Sequence, residues 1–292
     1  MKSNPALPAG TLDARQQVIL GKLAQVLLPL GKVAVALSGG VDSALLAVAA
    51  ARLLGSANVL AITVDAPMVP GADHADAVQA ARQAGVRHLI LEVPVSILDE
   101  PVFRENPSDR CYSCKKLIFG RIRAAAEKEG FANVADGTNA DDLTEYRPGL
   151  KAVQEMNIIS PLAQAGISKN SIRLLAAALC PDFAAKPAMA CLATRIPHGT
   201  PVTLAAMKRI DQAEQALRAS GFPQIRVRDH QGLARVEISS EMLENGLEYS
   251  TIQLIRKILH AAGFRYAALD LDGYRTGSLQ GTGEDEKHAD QP

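Results

Sequence analysis

The chain has 292 residues, of which 48% are hydrophobic and 21% charged, enough apolar side chain to bury a core and too much for a disordered polymer. Thirty-one Lys and Arg balance thirty-one Asp and Glu, Trp is absent and aromatic residues make up 4%, so neither a net field nor a stacking platform marks a dedicated nucleic-acid binder. The longest strictly apolar run, Ala44–Ala51, falls far short of the roughly 20 residues that span a bilayer. The first 30 residues carry Pro, Gly and charges where a signal peptide would carry an apolar core, so a cytoplasmic location is expected.

At roughly 100 to 200 residues per domain the length predicts two domains. Residues 1–12 read as a loose arm and 281–292 as a polar tail. Helical spacing of Val18, Ile19, Leu23, Val26 and Leu27 predicts a helix from Asp13 to about Leu30. Val33–Leu37 reads as a buried strand, Ser38-Gly39-Gly40 as a turn, and the Ala/Leu stretch from Ala44 as a helix. Val59–Val64, Ala75–Ala84 and His88–Val93 repeat strand, helix and strand. This alternation predicts an α/β fold, a parallel sheet with helices on both faces. A strand near Phe131–Asp136 and an extended Ile158-Ile159 complete it. After His198–Pro201 the pattern changes to a helix over Leu204–Ser220, alternating segments Gln224–Arg228 and Leu233–Ile238, a helix over Ile252–Ala262, and an alternating Tyr266–Leu271. The predicted boundaries are 13–200 for the α/β domain and 201–280 for a smaller α+β domain with one sheet face in solvent.

Ser38-Gly39-Gly40-Val41-Asp42-Ser43, between strand and helix, is the most informative hexapeptide. Two glycines let backbone amides approach an anion, the helix N-terminus adds partial positive charge, and Ser38 and Ser43 supply hydroxyls. Asp42 would repel phosphate unless it helps to hold a cation or braces the loop. The motif resembles the PP-loop of ATP pyrophosphatases. That resemblance implies ATP with magnesium, activation of a carboxylate or carbonyl by adenylylation, and displacement of AMP by a nucleophile. Asp65, ending the second strand, lies where nucleoside contacts would fall. Asp136 and Asp141 follow a strand end and are candidate magnesium ligands, while Asp141 and Asp142 fit equally as caps of a nearby helix.

The four cysteines are too few for a disulfide scaffold. Cys111-Tyr112-Ser113-Cys114 suits zinc, a redox pair or one edge of an iron–sulfur cluster, and no second CxxC accompanies it. Cys191 lies four residues before Arg195, and Cys180 reads as a buried core filler. Glu237, Asp270 and Asp272 are further candidate carboxylates, and His198 reads as a turn residue.

Arg110–Lys116, Asp136–Asp142, Tyr146–Leu150, Ser160–Leu162, Lys186–Gly199, Arg226–Arg228 and Leu233–Glu237 together resemble the LarE family, the ATP-dependent sulfur transferases of nickel-pincer-nucleotide biosynthesis, from about residue 13 to 280. The resemblance implies adenylylation of pyridinium-3,5-dicarboxylate mononucleotide and replacement of AMP by sulfur to give thiocarboxylates. Single-cysteine members sacrifice the cysteine at the position of Cys191. Three-cysteine members are thought to hold a 4Fe-4S cluster with an open iron for an extra sulfide. With Cys111, Cys114 and Cys191 all present, the cluster route is the preferred expectation, with sulfide or another sulfur donor as partner. Arg195, Arg226 and Arg228 would hold the substrate's phosphate and carboxylates through bidentate forks. A homo-oligomer is expected. A tRNA thiolase of the same superfamily and a nucleotide-binding redox sensor are the rival readings.

Overall fold

The computed structural model describes residues 12–144, 148–187, 190–244 and 247–275. Residues 1–11 of the arm, the tail, Tyr146 and Arg147 lie outside the described residues, as do Ala188 and Met189 between Lys186 and Cys191. The chain divides into two units, residues 1–93 with 111–189 and residues 94–110 with 190–292.

The first unit opens with α1 (Ala14–Leu27). The Asp13 carboxylate accepts from the Gln16 amide while the Gln16 side chain accepts from the Asp13 amide, a reciprocal cap that fixes where the helix starts. Then follow β1 (Val33–Ala36), α2 (Val41–Leu54), β2 (Val59–Asp65), α3 (Gly71–Ala84), β3 (Arg87–Glu92), α4 (Arg110–Lys128) and β4 (Val134–Ala135). The four strands are parallel in the order β3-β2-β1-β4, and Ile159 extends the sheet by a single parallel bridge to Ala135.

Strand alternation sorts side chains onto two faces. Val33, Val35, Val59 and Ala61 join a core with Leu23 and Leu27 of α1, the Ala-rich α2, Ala77 and Ala81 of α3, and Ile172 and Leu175. Ala34, Leu60 and Ile62 face the opposite core with Phe119 and Ile122 of α4 and with Val153. Helices therefore cover both faces, as the alternating pattern predicts. α2 is buried at every residue from Ser43 to Ala51, which its small side chains permit.

The second unit contains α5 (Leu204–Ala219), β5 (Ile225–His230), β6 (Leu233–Ile238), α6 (Tyr249–Ala261) and β7 (Tyr266–Leu269). β5 and β6 form an antiparallel hairpin, and β7 adds in parallel. Gln231 and Gly232, at φ +54° and +97°, make the two-residue turn whose positive φ values match strand twist. β7 is exposed along its length, whereas β5 is buried on both faces, because Arg226, Arg228 and Asp229 find partners inside.

Residues 94–110 and 190–202 belong with this unit because Asn106 ties them together. It is fully buried, and its Nδ2 donates to the carbonyls of Ile196 (3.4 Å), Pro197 (2.8 Å) and Thr200 (2.8 Å). Its own carbonyl accepts from Gly199, Val202 donates to Phe103, and Arg110 Nη1 donates to Asn106 Oδ1 and to the Ala193 carbonyl. At φ +47°, Asn is one of few side chains that tolerates the left-handed region. Asn106→Ala is predicted to destabilise the second unit by about 2–3 kcal/mol, through buried carbonyls left without donors. Urea unfolding followed by hydrogen exchange of residues 190–202 measures this; an unchanged midpoint would refute the role of Asn106.

Candidate functional site

The loop after β1 lies at the carboxyl edge of the sheet, where β1 has β2 on one side and β4 on the other, the place at which open α/β sheets hold ligands. Gly39 has φ +81°, and a Cβ there would lie 2.3 Å from the Asp73 carbonyl oxygen and 3.0 Å from the Ala77 amide. The loop backbone therefore rests directly on α3, and no other residue fits. Gly40 is different: φ is −80° and a Cβ would meet only Ser38 Oγ, at 3.6 Å. Gly137, after β4, is the second close approach, 2.9 Å from the Ser43 amide.

Ser43 Oγ donates to the Gly40 carbonyl and accepts from the Ser38 amide (3.1 Å) and the Ser38 hydroxyl (3.0 Å). The two hydroxyls thus brace the turn, and no side chain caps the first turn of α2. Its amide groups are the donors suited to a phosphate.

Sequence reasoning missed the lysines around this loop. Lys169 Nζ sits 2.5 Å from Asp42 Oδ2, and Asn139 Nδ2 donates to Asp42 Oδ1 at 3.5 Å, so the charge expected to repel phosphate is neutralised. Lys186 Nζ donates to the Gly39 carbonyl (2.8 Å) and pairs with Asp73 and Asp76. His88 was also missed. Thr63 Oγ1 donates its one proton to the Leu37 carbonyl (2.7 Å), so His88 Nε2 must be the donor in its 2.8 Å bond to Thr63. Burial first, then the nearby His74, hold the His88 pKa below the usual imidazole value.

The carboxylates singled out as magnesium candidates are in structural use. Asp136 is buried and accepts from the Thr138 amide and hydroxyl and the Ser160 hydroxyl. Asp141 accepts from the Lys169 amide, the first of helix Lys169–Leu179, and Asp142 from the Asn139 amide. Asp65 is half-exposed, 3.7 Å from His74 Nδ1.

Cys111 and Cys114 stand in the first turn of α4, three residues apart and hence on one helix side, and both are half-buried. Cys180 is fully buried; burial first, then Asp182, push its thiol up to about 12. Half-buried Cys191 precedes a 3₁₀ turn, Leu192–Arg195. Cys111 and Cys114 belong to the first unit and Cys191 to the second. Among the described residues, no three His, Cys, Asp or Glu side chains are grouped as a metal site.

The three candidate arginines are buried. Arg195 grips Glu214 with Nε and Nη2, both at 3.0 Å, and Arg228 grips Glu237 at 2.9 and 2.7 Å. Arg228 also donates to the Thr194 carbonyl, and Arg235 adds to Glu237 and reaches Asp270 at 3.4 Å. Arg226 donates to its neighbour's carbonyl, Ile225 O, and lies over the Tyr274 ring at 5.0 Å. Burial first, then Arg195, hold the Arg226 pKa below the usual guanidinium range. Burial pushes Glu214 up, but the charge and hydrogen bonds of Arg195, with Arg218 and Arg226, bring it below the usual carboxylate value. Asp272 pairs at the surface with Arg275, and His198 is exposed, as a turn residue would be.

A parallel sheet with a glycine-hinged strand-to-helix loop at its carboxyl edge, followed by a small mixed sheet, defines the class of PP-loop nucleotide-binding proteins. The NAD synthase family profile matches residues 15–126. The chain is 36% identical over 260 residues to an uncharacterized protein of Synechocystis, covering 89% of this chain and 96% of the other. It is 33% identical over 260 residues to pyridinium-3,5-bisthiocarboxylic acid mononucleotide synthase of Lactiplantibacillus plantarum, covering 89% and 93%. An uncharacterized Methanocaldococcus jannaschii protein is 31% identical over 84% of this chain and 91% of its own. The protein belongs to the LarE family, within the ATP-using PP-loop superfamily.

Two predictions follow from these contacts. Gly39→Ala is expected to abolish nucleotide binding, because a 2.3 Å contact with backbone must open and φ is left-handed, whereas Gly40→Ala leaves binding within about threefold. Isothermal titration with ATP reads both, and equal effects at the two positions would contradict the geometry. Because the Glu214 pKa is lowered in the fold, its contribution to stability is present above the ordinary Glu value and is lost as pH falls through the folded value. Acid unfolding of the second unit is therefore expected below about pH 4.5. Carboxyl-selective NMR of Glu214 that shows titration above that range would contradict this sign.

Proposed function

We propose that the protein is an ATP-dependent sulfurtransferase that adenylylates the carboxylates of pyridinium-3,5-dicarboxylate mononucleotide and converts them to thiocarboxylates. The observation that carries this reading is the close-packed Ser38–Ser43 loop between β1 and α2, in a chain 33% identical over nearly its whole length to the bisthiocarboxylic acid mononucleotide synthase. A carboxylate oxygen attacks the α-phosphorus of ATP and pyrophosphate leaves, so catalysis needs the phosphates held in line and their charge offset. The amides at the start of α2 supply the holding. Lys169 removes the opposing charge of Asp42, and Lys186 fixes the carbonyl side of Gly39 so that the loop's amides face the anion. Magnesium near Asp136 and Asp141 would offset further phosphate charge, and Asp65 would lie on the nucleoside side.

Sulfur then replaces AMP on the activated carboxyl carbon. In this reading Cys111, Cys114 and Cys191 handle the sulfur. A 4Fe-4S cluster, when bound, would take these three thiolates and leave one iron open for a sulfide. Arg226 and Arg228 supply positive charge for the substrate's phosphate, and Arg195 supports the segment of Cys191.

The test is pyrophosphate release with ATP and the dicarboxylate nucleotide, followed by mass spectrometry of the product. Release that needs the nucleotide and yields thiocarboxylate supports the reading. Binding of ATP without turnover favours a sensor, and salt-sensitive tRNA-dependent turnover favours a tRNA thiolase. Cys191→Ala is expected to stop thiocarboxylate formation while pyrophosphate release continues. Anaerobically reconstituted protein is expected to be brown and to contain iron; colourless, iron-free protein that still transfers sulfur would remove the cluster and leave Cys191 as donor.

A further inference from the structure

We infer that Glu214 is a positioning residue for Cys191, acting through Arg195. The inference rests on the reading of Cys191 as a sulfur-handling residue. Arg195 has 0% exposure and is the largest of the fully buried side chains. One edge of its guanidinium meets the Glu214 carboxylate. The other, Nη1, donates to the Ala190 carbonyl (2.7 Å), the Cys191 carbonyl (3.2 Å) and Thr194 Oγ1 (3.0 Å). A single planar fork thus ties the backbone that carries Cys191 to α5.

Other side chains hold the later residues of the turn, Arg110 at the Ala193 carbonyl and Arg228 at the Thr194 carbonyl. The Cys191 carbonyl also accepts from the Thr194 amide (3.0 Å) and hydroxyl (2.7 Å), but these bonds are local to the turn. They shape it without anchoring it. Arg195 ties the Cys191 end of the turn to α5, and a guanidinium is stable at zero exposure only beside a carboxylate that offsets its desolvation. Glu214 supplies that charge.

The same geometry excludes Glu214 as a proton acceptor for a reactant. A carboxylate has about four lone-pair directions. Oε1 accepts from Arg195 Nε and the Val227 amide, and Oε2 from Arg195 Nη2 and Arg218 Nη2. Its exposure is 1%. Every oxygen is taken up by the protein, so the influence of Glu214 on chemistry runs through Arg195 to the Cys191 backbone.

Glu214→Gln keeps the volume, removes the charge and replaces one acceptor by a donor facing donors. Two readouts are taken on the full chain: Cys191 alkylation by iodoacetamide, followed by peptide mass spectrometry, and the ratio of thiocarboxylate formed to pyrophosphate released. Thiocarboxylate formation is expected to fall about 100-fold, as for a reacting group displaced by about 1 Å, with pyrophosphate release held within about twofold and the Cys191 alkylation rate changed about tenfold. An unchanged alkylation rate in folded protein overturns the inference, and so does an equal loss of both products, which marks a merely structural role. Should Glu214→Gln fail to fold, Thr194→Val decides. It leaves the ion pair intact and removes one link between Arg195 and the Cys191 carbonyl, so a wild-type alkylation rate there overturns the inference. Cys191→Ala separates the two levels: if it still forms thiocarboxylate, the sulfur-handling reading fails, while the alkylation data still judge the positioning of Cys191.

Discussion

No side chain fits at Gly39, and the first unit is arranged around that constraint. The loop backbone has been brought within contact of the α3 backbone. A loop of this kind is costly to hold. The carbonyls of Gly39 and Gly40 lie within the fold's own hydrogen bonding, and each needs a partner. Lys186 provides one by donating to the Gly39 carbonyl, and Asp73 and Asp76 offset the charge that Lys186 brings. Ser38 and Ser43 provide the rest through a closed set of bonds inside the turn. Gly137 lets the strand from the other side of the switch point approach the same helix start without a side chain between them.

The second unit solves a different problem, how to bury guanidinium groups. Arg195 and Arg228 each face a carboxylate through two parallel bonds, the geometry in which Arg is least costly inside a protein. A pair of this kind contributes little net stability over an apolar pair of equal volume, yet loss of one partner leaves a bare charge worth about 3–5 kcal/mol. Such pairs therefore specify arrangement more than they add stability. They fix which backbone atoms the outer edge of each guanidinium meets: Ala190 and Cys191 for Arg195, Thr194 for Arg228. Both arginines converge on the one short turn that follows Cys191.

Much of this was legible in the sequence, and the reasons differ by element. The parallel sheet followed from period-two burial and the spacing of Val/Ile runs, which depend on local pattern alone. The tight strand-to-helix loop followed from two glycines between a strand and a helix, though which glycine is indispensable did not: Gly39 and Gly40 are equivalent as letters, and only the position of α3 separates them. Lys169, Lys186 and Glu214 were illegible because their partners lie 127, 147 and 19 residues away along the chain. The arginines were read as ligands for an anionic substrate, and the letters did not reveal that Arg195 and Arg228 each also face an internal carboxylate. Asp136 and Asp141 illustrate the same ambiguity, since a carboxylate suited to a cation is equally suited to amides and hydroxyls that need an acceptor.

The cysteines show how surroundings decide what one residue type can do. Cys180 sits in the apolar core beside Ile172 and Leu175, and with its thiol pushed up to about 12 it stays protonated at any physiological pH. A protonated thiol is neither a good ligand nor a nucleophile. Cys111, Cys114 and Cys191 share the other environment, half-buried at the start of a helical turn. A sulfur atom placed there is reachable by a reactant while its backbone is held by the turn it opens. For Cys191 that hold extends through a buried guanidinium to a carboxylate on the next helix. The two parallel hydrogen bonds of such a pair are directional, so they hold the guanidinium to one geometry.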